Sequence, residues 1–158
     1  MNDLPLPRAC KTAAELHQGD RVEVDYFITD EDLLTFAKLS GDYNLLHFDE
    51  TYAKRSVFGR RIAHGMISLS KFSGIFGMDL PGLGALWESQ EARFVAPVFI
   101  DTPYKAVAEV RSIQNKRIVF DTWVQDVDGV KVIEGKATVI AIMEPQRRRA
   151  RTFLPDLR

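Results

Sequence analysis

A carboxylate and an imidazole stand five residues apart, at Asp42 and His47. On a straight α-helix that step turns two side chains ~140° apart, so the spacing has chemical use only in a loop that curls them together. Brought together, they can share one water, the carboxylate taking a proton from it while the imidazole delivers or receives another. Asn44, between them, is a residue type whose side-chain amide braces a turn. Farther along, Gly65 opens an apolar segment. A backbone N–H at such a helix start, with the dipole behind it, can meet charge building on a carbonyl oxygen. Each residue also has a plainer use: Asp42 as a turn former, His47 as a satisfied buried histidine, Gly65 as a site of close packing.

The elements that must position these groups are readable on either side. Residues 21–28 alternate, with Val22, Val24, Tyr26 and Ile28 on one face and Glu23 and Asp25 on the other, as in a strand. Thr29 or Asp30 can then cap a helix whose apolar stripe is Leu33, Phe36 and Ala37 and whose stop signal is Ser40-Gly41. That stop places Asp42 in a loop. Asp49 can cap a second, short helix over residues 50–54. From His64 to Met78 apolar residues cover most of a helical circumference, with serines and glycines in the gaps, which describes a buried helix against which a sheet packs closely. Strands are expected over 92–100, broken at Pro97, and over 104–113, 117–125 and 130–143, the last two joined by a turn at Asp128-Gly129. One apolar helix and a long run of antiparallel strands make an α+β chain.

The run Phe36-x-x-Leu39-Ser40-Gly41-Asp42-x-Asn44-x-Leu46-His47, with Ala53 six positions after the histidine, resembles the signature of the MaoC-like, (R)-specific enoyl-CoA hydratases. Pro81-Gly82-x-Gly84 and Phe94-x-x-Pro97-Val98-Phe99 are similar to that family as well, so the likeness spans roughly residues 19–142. One motif position departs, Leu45 standing where the family has proline. The resemblance implies the hot-dog fold, an antiparallel sheet wrapped around a long central helix. It also implies hydration of a (2E)-enoyl-CoA to an (R)-3-hydroxyacyl-CoA, or the reverse dehydration. Asp42 and His47 would serve as the acid–base pair and Gly65 as the donor to the thioester oxygen. It further implies Ser73 beside the pair, supporting it with Asn44, and at least a homodimer of single hot-dog chains. Tyr43 and Met66 are candidates to line the acyl pocket, and His64 reads as structural. Two other readings share the fold, a hot-dog acyl-CoA thioesterase and a non-catalytic acyl-thioester-binding subunit. Retention of both Asp42 and His47 argues against the latter.

At 158 residues and 46% hydrophobic content the chain has the size of one domain. The expected division is an arm over 1–18, the hot-dog domain over 19–143 and a solvated basic tail over 144–158. A net charge of −1 gives no basic field for nucleic acid or an anionic membrane, so the expected partner is the acyl-CoA itself. Arg60 and Arg61 read as a solvated pair, with contact to coenzyme A phosphates as the alternative. No Cys/His cluster has zinc spacing, so neither a metal nor any cofactor beyond the substrate's coenzyme A is expected. One cysteine, no signal-peptide pattern and no ~18-residue apolar run place the expected protein in the cytoplasm, away from membranes.

Overall fold

The computed structural model describes residues 5–153, with side chains as far as Ala150. Residues 1–4 of the expected arm and 154–158 of the expected tail lie outside the described residues. Strand β1 (Arg21–Tyr26) leads into helix α1 (Asp30–Ser40) and two short helices, α2 (Leu45–Phe48) and α3 (Glu50–Lys54). Helix α4 (Gly65–Gly74) follows and continues through a π-helical turn over Ile75–Asp79. Then come β2 (Leu86–Phe94), β3 (Tyr104–Gln114), β4 (Arg117–Asp126), β5 (Lys131–Ile140) and helix α5 (Glu144–Phe153). All strand pairs are antiparallel, and the sheet order is β1-β3-β4-β5-β2, which leaves β1 and β2 at the edges.

The sheet packs its inner face on α4, the α+β hot-dog arrangement. Phe72, Ile75 and Phe76 from the helix meet Phe120, Ile118, Val124 and Val139 from the sheet, all buried. Phe76 and Phe120 lie with ring centroids 5.0 Å apart. Burying each such side chain contributes about 1.5–3 kcal/mol, so this seam is what fixes α4 in place. The opposite side of α4 is not covered within one chain: Met66, Ser70, Ser73 and Gly74 are exposed.

Strand β2 occupies residues 86–94, whereas the sequence pattern points to 92–100. An edge strand exposes most of its side chains, and a register shift between Trp87 and Ser89 breaks its alternation, so the apolar run after it reads more like a strand than it does. Pro97 falls beyond the ladder. There Val95 and Ala96 N–H groups both turn onto the Val132 carbonyl, at 2.9 and 3.2 Å. The last strand stops at Ile140 rather than Met143, because the chain turns there into α5. The segment expected as a solvated tail is helical over Glu144–Phe153. Its Arg147 is drawn in by two carboxylates, Glu144 at 2.6 Å and Glu15 of the N-terminal segment.

Candidate active site

Helix α1 begins with a reciprocal cap: Thr29 Oγ1 accepts from the Asp32 N–H, and the Asp32 carboxylate accepts from the Thr29 N–H at 2.8 Å. It ends at Gly41, whose φ of 79° lies in the left-handed region that glycine enters without strain. The next residue, Asp42, therefore leaves the helix axis and turns back over the molecule. Its Oδ1 accepts from the Asn44 N–H at 3.1 Å, and Asn44 Oδ1 accepts from the Leu46 N–H at 3.0 Å, capping α2. Asn44 takes φ −56° and ψ 132°, the extended backbone that a following proline would enforce. With Leu45 in that position, the Asn44 side-chain cap holds the turn.

His47 lies on the single turn of α2, buried. Its Nδ1–H donates to the Ile62 carbonyl at 2.8 Å, which leaves Nε2 with a lone pair in the neutral ring. That Nε2 stands 3.8 Å from Asp42 Oδ2. The gap is too long for a direct hydrogen bond, yet both atoms can reach a third at about 2.8 Å. Arg61 braces the loop from outside, donating to the Asp30 carboxylate at 2.8 Å and to the His47 carbonyl at 3.4 Å. Asp30 in turn raises the Arg61 pKa. Arg60 lies with its guanidinium 3.7 Å over the Phe99 ring.

Gly65 is the first residue of α4, so its N–H has no carbonyl within the helix to bond. It also has a steric reason to be glycine. A Cβ there would stand 2.4 Å from Phe94 Cε1. Asp42, His47 and Gly65 all line one cavity of about 420 Å³, whose remaining wall is largely apolar, with Phe36, Phe58, Met66 and Phe94 among its residues. A carboxylate, a bare imidazole nitrogen and a helix N-terminus on the wall of an apolar cavity suit polar addition to an electron-poor, hydrophobic substrate.

Two site candidates fall elsewhere. Tyr43 does not line the cavity; it is 56% exposed, with its ring centroid 6.2 Å from that of Phe48. Ser73 lies eight residues along α4 from Gly65, ~12 Å up the helix axis, and is exposed on the uncovered face of α4. Met66 does line the cavity, half exposed. His64, which the sequence presents as structural, lies inside the constellation instead. It is 4% exposed and stacked on His47 with centroids 3.7 Å apart, and its Nε2 is 3.0 Å from the Asp42 carbonyl oxygen. Its place directly before Gly65 is a hint in the sequence, but one that a core histidine would share. Nitrogen and oxygen atoms of Asp42, His47 and His64 all lie within 4.8 Å of one another.

A MaoC like domain matches residues 11–141. The chain belongs to the MaoC-like family. An (R)-specific enoyl-CoA hydratase of Rhodospirillum rubrum is 39% identical over 127 residues, 80% of this MaoC-like chain and 88% of that protein. Among solved structures, an (R)-hydratase from A. caviae involved in PHA biosynthesis superposes with a TM-score of 0.79 at 31% identity, covering 81% of this chain and 98% of the other. The unliganded R-hydratase PhaJ1 from Pseudomonas aeruginosa gives 0.79 at 36% identity, with 84% and 86% covered.

Proposed function

We propose that this MaoC-like chain is a hydro-lyase, adding water to a (2E)-enoyl-CoA to give the (R)-3-hydroxyacyl-CoA, or running the reverse dehydration. The observation that carries the reading is the 3.8 Å separation of Asp42 Oδ2 and His47 Nε2 on the wall of an apolar cavity that Gly65 also lines. A water held by both groups stands ready beside a bound double bond. As its oxygen bonds C3, one of its protons passes to the pair, and the pair returns one proton to C2. The sum is addition of H and OH with the pair restored. Charge developing on the thioester oxygen is met by the Gly65 N–H at the start of α4. No cofactor is needed beyond the coenzyme A of the substrate. The R stereochemistry is supported by the named activity of the R. rubrum relative.

The working unit in this reading is at least a homodimer. Its support is the exposed face of α4, together with the place of β2 at the edge of the sheet, both of which a second copy can cover. Sedimentation at assay concentration is expected to give a dimer or larger, and an active monomer would overturn this. A reducing, cytoplasmic setting accords with one cysteine in the whole chain.

The deciding experiment follows loss of the conjugated double bond by absorbance across enoyl-CoAs of graded length. Hydration with no release of thiol is expected. Free coenzyme A appearing faster than the double bond disappears would give the protein to the thioesterases, and no turnover of any enoyl thioester would make it a binding subunit.

A further inference from the structure

We infer that His64 is a positioning residue of this site: with one N–H on the Asp42 main-chain carbonyl and one ring face on His47, it fixes the two proton-transfer groups relative to each other. The inference rests on the hydratase reading above and goes beyond it by one residue.

The tautomer follows from the partners. A carbonyl oxygen only accepts, so the His64 Nε2 within 3.0 Å of the Asp42 oxygen carries the hydrogen. The other nitrogen, Nδ1, is buried with no hydrogen-bond partner among the described residues. A hydrogen there would be stranded, so the ring is neutral and its one proton is committed. Burial pushes the His64 pKa down, in the same direction. Neither nitrogen is therefore free to trade a proton with a substrate, and Nε2, occupied by its hydrogen, is no ligand for a metal ion.

What the ring does instead is hold geometry. Its face supports the His47 ring at a 29° tilt, while its edge holds the backbone of the residue that bears the carboxylate. Phe36 of α1 and Phe48 of α2 pack on it at 5.0 and 6.0 Å and carry no charge. The titratable groups facing it are Asp42 from the loop, with Oδ2 3.8 Å from Nε2, and His47 from α2, whose carbonyl takes the Arg61 guanidinium. A protonated His64 would put a cation against both partners and draw the carboxylate away from the shared water. The neutral ring leaves Asp42 and His47 to each other.

The two contacts can be separated by substitution. His64→Gln keeps an N–H within reach of the carbonyl and loses the ring face, whereas His64→Phe keeps the face and loses the donor. Misplacing a catalytic group by an ångström can cost ~10²-fold, so H64F is expected to lose ~10–100-fold in kcat with KM within ~3-fold, and to shift the limbs of its pH profile. H64Q is expected to retain more of kcat than H64F. A ~10²–10⁴-fold loss in H64Q matching that of a His47 variant would make His64 a proton carrier and overturn the inference. So would an H64F protein of lowered Tm but parental kcat and pH profile, which would make the residue merely structural. A long-range ¹⁵N–¹H spectrum of the parent protein, with no activity involved, is expected to show the His64 hydrogen on Nε2 from pH 6 to 8. A hydrogen on Nδ1 overturns the assignment even if both variants fail to fold. If the parent hydrates nothing while the spectrum is as expected, the hydratase reading fails and the placement of His64 stands.

Discussion

At the scale of single residues, the proposed chemistry rests on two side chains 3.8 Å apart, and substitution tests each without disturbing its shape. Asp42→Asn and His47→Gln keep size and hydrogen-bonding capacity and remove proton exchange near neutral pH. A positioned acid or base contributes ~10²–10⁴-fold, so each variant is expected to lose at least two orders of magnitude in kcat with much smaller change in KM. Because both serve one water in the proposed reaction, the double variant is expected to be scarcely worse than the poorer single one. Steady-state kinetics decides, and survival of hydration within ~10-fold in folded protein would remove that residue from the mechanism. The convergence of Asp42 and His47 was legible because a five-residue step after a glycine stop has chemical meaning only in a loop. His64 was not. A histidine ahead of an apolar helix looks the same in sequence whether it packs in a core or stacks on the His47 ring, and only the approach of α2 to the start of α4 makes the difference. The places of Tyr43 and Ser73 were no more legible, since the exposure of a side chain in a turn and the uncovered side of α4 are both tertiary facts.

Among the elements, α1, α3 and α4 announce themselves through caps and apolar stripes, and the turn at Asp128-Gly129 fixes the β4–β5 hairpin. Asp126 Oδ1 accepts there from the N–H groups of Asp128 and Val130, at 3.0 and 2.9 Å. Strand β2 hides, because an edge strand with a shifted register shows no period of two. Yet β2 ends at Phe94, the ring that packs on Gly65 and walls the cavity. Gly65→Ala tests that junction. The new methyl would stand 2.4 Å from Phe94 Cε1, and since Phe94 is 53% exposed its ring can swing away more easily than α4 can shift. The stability cost is therefore expected at or below about 1–3 kcal/mol, the usual range for overpacking. Hydration is expected to fall much further, since the methyl and the displaced ring both intrude where, in the proposed reaction, the thioester oxygen meets the Gly65 N–H. Thermal unfolding and kcat/KM measured on one preparation separate the two effects. Parental activity with a lowered Tm would leave Gly65 as a packing residue alone.

Over the whole molecule, the α+β plan follows from one buried helix and a run of strands, but the joining of the chain's two ends does not. Four arginines between residues 147 and 151 read as a solvated stretch. The folded chain instead sets Arg147, 14% exposed, against Glu15, 132 residues away. The Arg147 guanidinium, and after it the Thr12 N–H, bring the Glu15 carboxyl down to about 2 from an ordinary 4.5. A carboxyl whose pKa is depressed by folding contributes stability that is fully present above its ordinary value and is lost as pH falls through the folded one. The window for this group therefore runs from about pH 4.5 down to about pH 2. The Glu15 side chain is 47% exposed, so solvent screens the pair and its worth is at most about 1 kcal/mol. Denaturant unfolding of the parent and of Glu15→Gln is expected to show a gap of that size at pH 7 that narrows through this window and closes near pH 2. Amide exchange over α5 is expected to quicken in Glu15→Gln at pH 7, because the helix loses the carboxylate that fastens Arg147 to the N-terminal segment. A gap that stays constant from pH 7 to pH 2, with α5 exchange unchanged, would mean that the ends are joined by packing and that the ion pair adds nothing.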